Sequence, residues 1–144
     1  MKPKTIFIFL FITFGYVYSL QAQCLDFVKS NGFEILNTNT HVPEGRFDSM
    51  ILSEGDNLTV YKSFFRGKTY RVVVLGAENL PPLKYKVKTM QGDVIYENYN
   101  DGSTSWDYTS ERNQNLVISI EIPYKTGTQP ESGCVAVILG YKMN

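Results

Sequence analysis

One histidine, two cysteines and one tryptophan are all that 144 residues contain of those types. Each scarcity closes off a kind of chemistry. Zinc needs clustered Cys and His ligands, and a single histidine with two distant cysteines does not supply them. A Ser/His or Cys/His nucleophilic pair would have to use His41, which sits in the irregular "NTNTHVPEG" and reads as a loop histidine in solvent. No serine occupies a Gly-x-Ser-x-Gly elbow, and no Gly-rich phosphate loop is present. Excess charge is lacking as well, with 14 basic residues against 14 acidic. Nothing in that balance calls for nucleic acid or an anionic membrane surface as partner. Calcium would need several oxygen ligands at alternating positions, which Asn100 and Asp101 in "YNDGST" do not provide, so this stretch reads as a turn. The expectation is a protein without metal or cofactor.

Long apolar runs are also missing beyond the start of the chain. There, Lys2 and Lys4 precede an apolar stretch from Ile6 to Val17, followed by small and polar residues from Ser19 to Gln23. These are the three regions of a secretory signal peptide. The stretch is shorter than the roughly 18–20 residues of a spanning helix. Residues 1–22 are therefore read as a removed leader and 23–144 as one domain, exported to the periplasm, outer surface or exterior. A retained anchor is the alternative.

Removing Lys2 and Lys4 leaves the mature chain about two charges negative. Cleavage near Ala22 or Gln23 places Cys24 at the new N-terminus. A lipoprotein signal is the other use for such a cysteine, but Gln23 and Gln21 stand where it wants a small residue and a leucine. Two cysteines behind a signal peptide normally pair, so Cys24 is expected to bond Cys134. In the chain-entropy model so long a loop contributes roughly 4–5 kcal/mol.

What is present in abundance is aromatic residues, ten Tyr and nine Phe, and a period of two. "NLVISIEIP" puts Leu116, Ile118, Ile120 and Ile122 on one face. "LKYKVKT" sets Leu83, Tyr85 and Val87 against Lys84, Lys86 and Lys88, and "STSWDYT" sets Trp106 and Tyr108 against Ser105, Asp107 and Thr109. Such alternation means strands with one buried and one wet face. "TYRVVVLG" and "CVAVILGY" are apolar on both faces and read as central strands. "FDSMILS", "NLTVYKSFF" and "DVIYENY" complete a set of about eight, separated by turns at Gly55, Gly67, Gly92 and Gly102. "CLDFVKSNG" reads as a short helix closed by Gly32. The fold class is all-β, one antiparallel sandwich of jelly-roll type.

From "EGDNLTVYKSFFRGKTYRVVVLG" through "WDY" and "LVISIEI" to "GCVAVILGYK", residues 44–142, the pattern resembles small exported bacterial β-sandwich proteins akin to pre-peptidase C-terminal (PPC-like) domains. That resemblance implies a non-catalytic accessory role. It carries no catalytic signature.

The candidate binding residues are Lys84, Lys86, Lys88 and Tyr99, which share a wet parity. Trp106, Tyr108 and Tyr96 fall on the core parity. A two-residue turn at Gln91-Gly92 would put Met90 opposite Asp93, Val87 opposite Tyr96, Lys86 opposite Glu97 and Lys84 beside Tyr99. Asp93, Glu97, Asp107 and Glu121 could in principle furnish the carboxylate pair of a glycan hydrolase, the alternative to a binding protein. The expected partner is an envelope protein or a glycan. Asn57 in "NLT" and Ser49 in "DSM" match short glycosylation patterns.

Overall fold

The computed structural model describes residues 24–127 and 129–143, so the expected leader lies outside the described residues. Nine strands are found among these: β1 (His41–Pro43), β2 (Asp48–Ser53), β3 (Asn57–Phe64), β4 (Thr69–Gly76), β5 (Lys84–Thr89), β6 (Val94–Glu97), β7 (Ser105–Thr109), β8 (Gln114–Glu121) and β9 (Ser132–Lys142). All pairings are antiparallel. Sheet A runs β1-β9-β4-β7, with β2 pairing β9 beyond the end of β1. Sheet B runs β3-β8-β5-β6. With β1 and β2 counted as one interrupted strand, this is the jelly-roll order, with the first strand beside the last and each connection crossing between the sheets except the β5–β6 hairpin.

The alternation places the core. Val72 and Val74 of β4 and Val135 and Val137 of β9 meet Tyr85, Val87, Leu116, Ile118 and Ile120 from sheet B, all buried. The two strands that are apolar on both faces, β4 and β9, lie side by side in the middle of sheet A. Their second face needs its own cover, and the N-terminal helix supplies it. Val28 and Leu36 bury Val73, Leu75, Ala136 and Ile138, with Phe27, Phe33 and Phe47 around them.

Two local expectations are corrected here. The helix does not end at Gly32. A π-helical turn, Val28–Gly32, continues into an α-helical turn, Phe33–Leu36, and the stop is Asn37 in the left-handed region at φ 59°. Gly32 is instead a contact residue, because a Cβ there would collide with Cδ1 of Ile138. His41 is not in a solvent loop. It lies in β1, 5% exposed, with Nδ1 at 2.8 Å from Thr40 Oγ1. A three-residue strand has too little alternation to announce itself.

Cys24 and Cys134 form the expected disulfide, Cα–Cα 5.4 Å across 110 residues. The bond ties the start of the helix to β9. Lys62 also points inward from edge strand β3 and reaches Asp48 of β2 at 2.6 Å, linking the two sheets along one side. An inward charge of this kind also discourages pairing of the edge with another chain. Among the described residues no helix is long and apolar enough to cross a membrane.

Candidate functional site

Among the described residues no helix lies over the outer face of sheet B. Reading across the ladder, Thr59, Ser119, Lys86 and Glu97 form one row, and Tyr61, Val117, Lys88 and Val94 the next. Asn57, Glu121 and Lys84 form a third. The three lysines thus stand together on one face, as their parity requires. Lys86 meets Glu97 at 3.5 Å, a partly exposed pair of the kind worth about 0.2–1 kcal/mol.

Tyr99 lies against this row. Its ring is 4.7 Å from Lys86 Nζ and 5.5 Å from Lys84 Nζ, and the residue is 41% exposed. It does not belong to a strand, because β6 stops at Glu97. The intervening Asn98 holds it in place. Asn98 is buried, its Oδ1 accepts the Tyr85 N–H at 2.8 Å, and its Nδ2 donates to the carbonyls of Leu83 and Ser103. The Asn98 N–H still donates to Tyr85 O at 3.2 Å, while its side-chain oxygen stands in for the carbonyl, and the chain leaves the sheet there with Tyr99 over the lysines in cation–π contact.

The hairpin between β5 and β6 departs from the two-residue turn. The Gly92 N–H donates to Thr89 O at 3.0 Å and the Thr89 N–H to Asp93 O at 2.8 Å, so Thr89, not Met90, faces Asp93. The loop is Met90-Gln91-Gly92, with Gly92 at φ 98°, a three-residue geometry that requires a glycine at its end. The extra residue is absorbed by a bulge at Ile95. Val87 opposes Tyr96 and Lys86 opposes Glu97 as expected, while Lys88 opposes Val94. A slip carried into the strand would have buried lysines, so the bulge restores the register within two residues.

Trp106 and Tyr108 pack against the core with Tyr96, as expected. Trp106 stacks between Tyr96, at 5.1 Å and 13°, and Tyr108, at 4.9 Å and 18°. Both faces of the indole are therefore taken. Asp101 accepts the Ser103 N–H at 2.9 Å in the expected turn and also faces the Tyr96 hydroxyl.

The four carboxylates do not converge. Asp107 lies on the outer face of sheet A, held by two 2.7 Å bonds from Arg71. The guanidinium keeps this carboxyl below its usual range. Glu97 and Glu121 stand on sheet B, and Asp93 at the hairpin tip with Thr89. His41 neighbours the Arg71–Asp107 pair. Burial, reinforced by the Arg71 charge, pushes its pKa below 6.5. Ser49 and Asn57 are both exposed, on β2 and β3.

Sequence reasoning missed Tyr61, 64% exposed, and Val94, 52% exposed, which share a row with Lys88. The signal could not be read without the strand order, since β8 lies between β3 and β5.

No family model and no curated protein matches the chain. Among solved structures, PliG of Aeromonas hydrophila, a periplasmic lysozyme inhibitor of g-type lysozyme, is similar over 73% of this chain and 90% of its own, at 14% identity and a TM-score of 0.51. The CBM36-1 domain of a multidomain xylanase from the hindgut metagenome of Trinervitermes trinervoides aligns over 74% of this chain and 93% of its own, at 15% identity and a TM-score of 0.33. At that score the second alignment carries no argument. The first is a likeness of fold, and by fold this chain is an antiparallel β-sandwich.

Proposed function

We propose that this chain is a non-catalytic, exported β-sandwich that acts in the cell envelope by binding a protein or glycan through the outer face of sheet B. Residues 1–22 serve as a removed signal peptide. The observation that carries the reading is the uncovered face itself, with Lys84, Lys86, Lys88 and Tyr99 gathered on it and Tyr61 beside them. A disulfide that closes nearly the whole domain fits an oxidising compartment. The fold also serves a periplasmic lysozyme inhibitor, so a binding role lies within its range. The accessory role implied by the PPC-like resemblance points the same way.

The test is affinity capture from the native envelope with the mature protein, followed by mass spectrometry. Lys84, Lys86 and Lys88 changed together to Gln should abolish capture while the domain stays folded. Undiminished capture by a folded triple variant overturns the assignment of this face.

A further inference from the structure

Where the tip of the β5–β6 hairpin meets the β7–β8 loop, a cleft of about 490 Å³ opens at one end of the sheet B face, with Asn115 one row beyond Val117 and Lys88. It falls within the size range of small-ligand sites, roughly 300–1,000 Å³. Its walls are unusual for this molecule in being made of amides. Gln91 and Asp93 come from the hairpin, and Arg112, Asn113 and Asn115 from the loop and the start of β8.

All of these side chains but Gln91 are anchored by one end and open at the other. Asn113 Oδ1 accepts the Arg66 N–H at 2.8 Å, and Asn115 Oδ1 accepts the Ser63 hydroxyl at 2.8 Å. Arg112 Nε donates to Gln114 Oε1 at 3.1 Å, and Gln114 in turn donates to the Tyr108 hydroxyl at 2.8 Å. Asp93 uses one carboxylate oxygen on Thr89. The amide nitrogens of Asn113 and Asn115, the guanidinium NH₂ groups and the second Asp93 oxygen have no protein partner among the described residues. Met90, 56% exposed, adds an apolar ledge.

We infer that this cleft binds a neutral saccharide. One Asp and one Arg leave the lining without net charge, so neither a phosphate nor a cationic ligand is selected. The walls are too polar for a lipid. Fixed donors and acceptors side by side suit vicinal hydroxyls, each of which both donates and accepts, while the ledge suits a sugar's C–H face. Anchoring by the protein's own hydrogen bonds means that little ordering remains to be done on binding.

The probes are xylotetraose, cellotetraose, mannotetraose and tetra-N-acetylchitotetraose at millimolar concentration, followed by heteronuclear NMR of the side-chain amides. At least one sugar should shift the Asn113 and Asn115 amide signals. The double change Asn113→Asp and Asn115→Asp keeps the oxygens that accept from Arg66 and Ser63 but removes both free donors, and should weaken binding about tenfold or more. The Lys84, Lys86 and Lys88 triple variant should bind the sugar as the parent does, and loss of sugar binding in that folded variant would place the saccharide on the lysine row and overturn the proposal. Absence of any shift with all four sugars overturns the proposal. So does binding that survives in a folded double variant, or displacement of the sugar by an unrelated extended peptide that takes the cleft in its place.

Discussion

The two sheets of this sandwich have opposite fates on their outer faces. The middle of sheet A is covered: Val28 and Leu36 of the helix seal Val73, Leu75, Ala136 and Ile138, and a disulfide ties the helix to β9, while Arg71 and Asp107 toward the β7 edge stay outside the cover. Sheet B is left bare, with lysines, Glu97, Glu121 and Tyr61 facing water. The strands differ accordingly. β4 and β9 are apolar on both faces, while β5 and β8 alternate. A face that spends its side chains on internal packing has none to offer a partner. The covered sheet holds the domain together, and the bare sheet is the face proposed above for binding.

Breaking the cover should have the largest effect. Changing Cys24 and Cys134 together to Ser removes the 110-residue closure and should cost about 4 kcal/mol, read from urea unfolding at fixed pH. A loss below about 1 kcal/mol would mean that packing alone holds the helix. Alkylation before and after reduction, followed by intact mass, should find both thiols blocked in the exported protein.

Beneath the bare side, the buried Asn98 holds the chain that carries Tyr99. Asn98→Ala leaves the Tyr85 N–H and two carbonyls without their partner, and should cost about 1–3 kcal/mol. It should also release Tyr99 from the lysines, so the triple-lysine phenotype in capture should appear in part. Full stability in this variant would show that the ladder, not the amide, positions Tyr99.

A smaller effect belongs to the covered sheet. Burial lowers the pKa of His41 below its ordinary 6.5. The unfolded chain then takes up the proton first, so the contribution of His41 is present above pH 6.5 and is lost as pH falls toward the folded-state value. The melting temperature should decline as pH falls below about 6.5, and His41→Gln should flatten that decline. An unchanged slope would assign it to other groups.

Smallest of all should be the thermal effect of changing Lys84, Lys86 and Lys88 to Gln. The change removes the partly exposed Lys86–Glu97 ion pair at 3.5 Å and two exposed cation–π contacts to Tyr99, each a weak surface interaction, so the melting temperature should barely move. A domain that unfolds on this change would mean that the two faces have been assigned backwards.

Much of this was legible in the residues. Period-two alternation is a local property, because successive side chains of a strand must point to opposite faces. It was enough to place eight strands, to put Trp106, Tyr108 and Tyr96 inward, and to set Lys86 opposite Glu97 and Val87 opposite Tyr96. Two cysteines in a chain read as exported were enough to name the disulfide. Tertiary structure decided the rest. The loop took three residues rather than two because a type I′ turn would need a positive φ at Gln91 as well as at Gly92, and only the buried pairs farther along forced the compensating bulge. His41 is buried because β9 extends far enough to pair with a strand too short to show periodicity. The helix runs past Gly32 because the surface beneath it has a place for a residue without a side chain. Which apolar face would be covered, and which polar face left open, depended on segments distant in sequence packing together, and no local pattern encodes that choice.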